Sequence, residues 1–264
     1  MMSTYRTFWL LTSFLLVLIL AACNLPSSGT PASTGGGPTL APTQQTAAPK
    51  PARAGCGNPY FPDAPGSTWT YANSSSLHGV APSTTVRTLA SQSPAGVYVR
   101  DDTTPDIQVT VHWSCKDGNM TMLQEATISA TGLNASLKSE SADGFLIPAE
   151  ITAGKTWSEK LSIQTTAAAT DSNPATVEQK NDTQIDCAAN GKESIQVTGG
   201  KFDAFKVTCK YTINTVTTIN GEKGKPVSVS FDATDWYAAG VGLVKRVKSG
   251  DIESVQELTS YKIP

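Results

Sequence analysis

The chain reads as an all-β protein built from antiparallel strands, and three observations carry that expectation. Segments of five or more residues either alternate apolar with polar side chains or are dense in Val, Ile, Thr, Tyr and Trp, as in Ile107-Gln108-Val109-Thr110-Val111-His112-Trp113. Turn-forming clusters such as Lys116-Asp117-Gly118-Asn119, Asn220-Gly221-Glu222-Lys223-Gly224 and Ser249-Gly250-Asp251 separate them at short intervals. No stretch of the globular part keeps a 3.6-residue apolar period for three turns, so any helix is short. Sheets with one apolar face must cover it, which makes an antiparallel sandwich or a partly open barrel the expected architecture.

The chain opens differently. Residues 8–20 are an almost unbroken apolar run behind Arg6. Its length falls within the ~7–15 residues of a secretory leader and short of the ~20 needed to span a bilayer. Directly after it stands Leu20-Ala21-Ala22-Cys23, which resembles the lipobox of bacterial lipoproteins. The resemblance implies removal of residues 1–22 as a signal peptide and acylation of the Cys23 thiol with diacylglycerol and fatty acid such as palmitate. Each buried methylene contributes ~0.8 kcal/mol, so two or more chains anchor stably where one does not. The protein is therefore expected on the outer side of the bacterial cell membrane, attached through its N-terminal lipid. Asn24 rather than Asp follows the cysteine, so the inner-membrane retention signal of cells with two membranes is absent.

Residues 24–55 are almost wholly Pro, Gly, Ser, Thr, Ala and Gln. Such a composition cannot bury enough apolar surface to offset the entropy of ordering, and the segment from Cys23 to residue 55 reads as a disordered tether. Its reach is on the order of 30 Å as a flexible coil and ~100 Å as stretched polyproline II. Residues 56–264 then form one β domain.

The whole chain has a formal net charge of −2, and loss of Arg6 with the leader makes it −3. Neither nucleic acid nor direct electrostatic docking on anionic lipid is expected without clustered Lys and Arg. Removing Cys23 from the five cysteines leaves Cys56, Cys115, Cys187 and Cys209. An even number outside the cytosol points to disulfides, and of the three pairings Cys56–Cys115 with Cys187–Cys209 is preferred. The second pair is expected to form around a middle strand: a strand at 183–186 enters a turn at 188–191, a strand at 193–197 returns, and a strand at 205–211 follows. Two strand spacings exceed the ~7 Å Cα limit for a bridge, so Cys187 is placed in the turn, and in-register ladder positions would exclude the bond. Zinc is a weak competitor, since there is no Cys-x-x-Cys and His78 and His112 stand alone. No metal or cofactor is expected.

Strands are expected at 67–71, 84–88, 96–100, 107–113, 156–163, 193–197, 205–218, 227–237, 241–247 and 252–263. Gly66-Ser67-Thr68-Trp69 recurs as Gly154-Lys155-Thr156-Trp157, and each leads to a second tryptophan ahead of a glycine-containing hairpin, Trp113 and Trp236. This suggests two unequal pseudo-repeats, about 56–140 and 141–264, with the tryptophans as core anchors. Val197-Thr198-Gly199-Gly200-Lys201-Phe202-Asp203-Ala204-Phe205-Lys206-Val207 and Asp235-Trp236-Tyr237-Ala238-Ala239-Gly240-Val241-Gly242-Leu243-Val244-Lys245 are similar to the closing hairpins of an uncharacterised family of secreted bacterial β proteins and lipoproteins. The resemblance spans roughly 145–262 and implies an extracytoplasmic β fold with no known activity.

No nucleophile elbow is present. Asp101-Asp102-Thr103-Thr104-Pro105-Asp106 is the densest carboxylate cluster, and it reads as a solvated turn because it lacks the glycine and terminal glutamate of a calcium loop. The expected function is a non-catalytic, membrane-anchored module that binds a small molecule, a glycan or a protein. The alternatives are an envelope hydrolase built on His112 and scattered carboxylates, and a purely structural envelope protein.

Overall fold

The computed structural model describes residues 56–76, 81–92, 98–103, 108–123, 125–130, 133–169 and 176–264. Fourteen strands account for the fold: β1 (Thr68–Ser75), β2 (Ser83–Gln92), β3 (Tyr98–Thr103), β4 (Gln108–Lys116), β5 (Asn119–Leu123), β6 (Glu125–Ala130), β7 (Leu133–Gly144), β8 (Thr156–Ala169), β9 (Thr176–Val197), β10 (Gly200–Ile219), β11 (Glu222–Lys223), β12 (Val227–Ala238), β13 (Gly242–Gly250) and β14 (Ser254–Lys262). All belong to one antiparallel sheet, and no helix occurs among the described residues.

Ladder pairing leads from β8 through β9, β10, β12, β13, β14, β1, β2, β3, β4, β6 and β7 back to β8. The circuit is thin at one place. β4 and β6 share only Gln108↔Ser129 and Val109↔Ile128, because the rest of β4 turns to β5. β5 in turn touches the far side through the single bridge Met120↔Ile147. The result is a curled, partly open sheet whose facing walls pack together like the layers of a sandwich. One apolar cluster joins Trp69 and Tyr71 of β1, Trp113 of β4, Leu137 of β7, Leu161 of β8, Ile185 of β9, Val207 of β10 and Leu258 of β14.

Period-2 alternation explains most of these strands. Along β8 the side chains of Trp157, Glu159, Leu161, Ile163, Thr165 and Ala167 are all buried, while their neighbours point outward. Both two-residue hairpins use residues that tolerate positive φ, Asp117 and Gly118 (φ 52 and 77) between β4 and β5, and Asn220 and Gly221 (φ 48 and 87) between β10 and β11.

The two Gly-x-Thr-Trp segments are built alike. Gly66 (φ 83) donates its N–H to Leu89 at 2.8 Å, Leu89 N–H returns to Ser67 at 2.9 Å, and Ser67 N–H closes a turn on Ala64 at 3.1 Å. Gly154 (φ 81), Ala189, Lys155 and Thr152 repeat the set at 2.8, 2.9 and 3.1 Å. Each corner launches a strand, β1 or β8, that sinks its tryptophan into the core, where the Trp69 indole donates to Val241 O and the Trp157 indole to Leu146 O. The lead-in before β1 is fixed by Asn58, whose amide donates to Gly118 O and Pro148 O at 2.8 and 3.0 Å.

The sequence reading is corrected at several places. Residues 188–191 are not a turn: β9 runs unbroken to Val197, and the Asn190-Gly191 signal marks a bulge opposite Lys206 and Val207, with Gly191 at φ 120. Asp101 and Asp102 lie in β3 instead of a turn. Strands β5, β6, β7 and the first half of β9 were not anticipated, since Ser, Thr, Ala, Lys and Glu dominate them and blur the alternation.

Candidate functional site

Cys23 lies outside the described residues, as do His78 and Asp106. The other four cysteines are joined as Cys56–Cys115 and Cys187–Cys209, with Cα separations of 5.7 and 4.0 Å. The first bond ties the lead-in to the end of β4. The second needs no intervening strand, because Cys187 and Cys209 are directly opposed on the adjacent strands β9 and β10. The expectation that in-register positions would exclude this bond was wrong, and its error was the invented middle strand. His112 sits in β4 opposite Val99 and Leu123. Among the described residues no three His, Cys, Asp or Glu side chains gather as a metal site.

What stands out is polar chemistry inside the curl, in two regions. One spans β12, β13, β14, β1 and β2. Asp235, 1% exposed, takes both Arg246 Nε and Nη2 at 2.6 and 2.5 Å and accepts from the Tyr237 hydroxyl at 3.1 Å. Burial disfavours the Arg246 charge, but the Asp235 carboxylate outweighs it and holds the guanidinium well above its ordinary pKa. Burial, with Asp235 beside it, pushes the Tyr237 hydroxyl well up. Next to this pair Gln256 Nε2 donates to Asn73 Oδ1 and Asn73 Nδ2 to Thr85 Oγ1, each at 2.9 Å.

The second region lies on β8, β9 and β10 and is less complete. Thr165 opposes Gln179, and Asn181 opposes Thr215. All four are buried. Gln179 Nε2 donates to Thr217 Oγ1 at 3.1 Å, and Asn181 Oδ1 accepts from Thr215 Oγ1 at 2.7 Å. Thr165 Oγ1, Gln179 Oε1 and Asn181 Nδ2 have no protein partner. Over 90% of buried polar groups in native proteins are satisfied, so three exceptions on neighbouring ladder positions mark a place where something other than protein belongs.

Glu159 lies farther along the same face of β8, toward the corner at Gly154. β5 has no full second neighbour, and its Met122 N–H reaches the Glu159 carboxyl at 3.4 Å, so this side chain stands in for a missing strand. Its other oxygen has no partner. Burial raises the carboxyl to about 8, with the Met122 N–H pulling the other way, so Glu159 is largely protonated at neutral pH.

None of these residues was singled out from the sequence. Glu159 had a signal, a carboxylate at an apolar-parity position between Trp157 and Leu161. Gln179 and Asn181 had none, because they sit in the uniformly polar run Glu178-Gln179-Lys180-Asn181-Asp182.

The described residues define a curled antiparallel β protein with polar groups in its interior. The chain belongs to the DUF3108-like family, whose model matches residues 96–262 and so begins well ahead of the segment in which the sequence resemblance was read. A Bacteroides fragilis protein of YmcC-like fold, inferred to be exported, aligns over 77% of this chain and 98% of its own at a TM-score of 0.44 and 15% identity. A Parabacteroides distasonis protein, inferred to be a lipoprotein, aligns over the same shares, 77% and 98%, at a TM-score of 0.45 and 17% identity. No curated protein matches the chain.

Proposed function

We propose that this protein is an extracytoplasmic, lipid-tethered β module that binds a ligand without turning it over. The observation that carries the binding role is the set of buried polar atoms on Thr165, Gln179 and Asn181 that lack a protein partner. Leaving such atoms empty costs about 1–3 kcal/mol each, a cost a bound molecule removes. Support for the location comes from the lipobox-like Leu20-Ala21-Ala22-Cys23 and from two disulfides, which persist in oxidising compartments. The non-catalytic reading rests on Glu159, which stands on the inner face held by a backbone N–H and with no second carboxyl among its hydrogen-bond partners, an unsuitable setting for a paired acid and base.

The test is native mass spectrometry of the full chain purified from its own host. A companion mass retained by the folded protein is expected, and an acylated N-terminal Cys23 should appear in the same spectrum. A bare protein mass would remove the binding role, and hydrolytic activity abolished by His112→Ala in a folded variant would replace it with the enzyme alternative.

A further inference from the structure

We infer that the inner face of β8 and β9 at Thr165, Gln179 and Asn181 takes a neutral saccharide through two neighbouring hydroxyls; this rests on the binding role proposed above and names its ligand class. Thr165 and Gln179 are directly opposed, which sets their Cβ atoms about 4.5–5.5 Å apart. Asn181 is two residues along β9 on the same face, about 7 Å from Gln179. The three unpartnered atoms differ in kind. Gln179 Oε1 can only accept, Asn181 Nδ2 can only donate, and Thr165 Oγ1 can do either. Turning both amides over exchanges the roles of Gln179 and Asn181 and still leaves one donor and one acceptor facing inward.

That mixture selects the ligand. A phosphate or carboxylate would set negative charge against the Gln179 acceptor, and an ammonium would meet the Asn181 donor. An acyl chain would leave all three atoms unsatisfied. A peptide unit points its N–H and C=O to opposite edges, so it serves one of the two amides at a time. A vicinal diol offers two oxygens on one edge, each able to give and to receive. One hydroxyl donates to Gln179 Oε1, its neighbour accepts from Asn181 Nδ2, and Thr165 Oγ1 completes the set from β8. Ordered water is the competing occupant, since it too gives and receives.

The experiment is thermal unfolding of the full acylated chain in a zwitterionic, sugar-free detergent with maltotetraose, chitotetraose and tetra-alanine as separate probes. The wild type is compared with Thr165→Val, a near-isosteric change that removes only the hydroxyl, and with Gln179→Met. A saturable rise in unfolding temperature with one of the tetrasaccharides, weakened tenfold or more in either variant, is the expected result. A rise with tetra-alanine alone that disappears in the variants would overturn the saccharide and keep a binding site. No probe effect, together with a higher unfolding temperature for Thr165→Val, would mean ordered water only and overturn the proposal. The bare protein mass described above is the separate result that would end the binding role itself.

Discussion

The two polar regions inside this sheet meet the same physical demand in opposite ways. On β12 and β13 a buried carboxylate is matched by a guanidinium through two hydrogen bonds, and a tyrosine hydroxyl fills a further lone pair. On β8 a buried carboxyl has one backbone N–H and no counter-charge, and it resolves the conflict by keeping its proton. Farther along the same strands, Thr165, Gln179 and Asn181 are neutral and still incomplete. A region that closes its own hydrogen bonds holds the fold together. One that leaves them open is suited to receiving something else.

If that contrast is right, removing one member of the closed region has the largest effect. Arg246→Met leaves Asp235 charged, 1% exposed and without its cation, and breaking a buried pair in this way costs about 3–5 kcal/mol. Urea unfolding at pH 7 measures it. A loss under 1 kcal/mol would mean that the region is wetter than its burial implies.

Glu159→Gln should act in the other direction. The folded carboxyl titrates near 8 and the unfolded one near 4.5, so between these pH values the folded state keeps a proton that the unfolded state has lost. Stability therefore falls as pH rises from 4.5 to 8 and is flat on either side. The deficit at pH 7 is about 3 kcal/mol, at ~1.4 kcal/mol per pH unit. Glutamine preserves an acceptor for Met122 N–H and cannot ionise, so the variant should gain about that much at pH 7 and nothing at pH 4. Parallel stability curves for the two proteins across this range would refute the assignment.

The corners at Gly66 and Gly154 sharpen the comparison at a smaller scale. Both have φ near 80, and an added Cβ would meet only Pro264 Cγ at 3.8 Å at the first and nothing within 4 Å at the second. Alanine at either position should therefore cost only the backbone penalty of about 1–2 kcal/mol, equally at both. Unequal losses in chemical denaturation would show that the matching hydrogen bonds at the two corners do not bear equal weight.

Smallest is Gln256→Leu. Gln256 Oε1 is the one unpartnered atom of the closed region, while its Nε2 bonds Asn73. Losing that bond and removing the empty acceptor offset each other, giving a change within about 1 kcal/mol by the same unfolding assay.

How much of this was legible in the sequence depended on how local each signal was. Trp157, Leu161 and Ile163 announce β8 through alternation alone, and the Gly-x-Thr-Trp match marked two corners that carry the same backbone bonds. Cys187 and Cys209 were paired on a path that does not exist. Asn190-Gly191 has the composition of a hairpin turn, and only the long ladder between β9 and β10 makes it a bulge. Strands β5 to β7, poor in β-branched apolar residues, become strands because neighbours supply their hydrogen bonds.

The sequence by itself determined the all-β class, the places of the buried tryptophans and the even set of cysteines, because side-chain alternation and turn chemistry act between residues a few positions apart. Only the tertiary structure decided that the strands join one curled sheet, that Cys187 faces Cys209 across a single strand spacing, and that Thr165, Gln179 and Asn181 share an incomplete polar face. Register between strands distant in the chain sets which side chains meet, and a one-residue slip would turn each of those three to solvent.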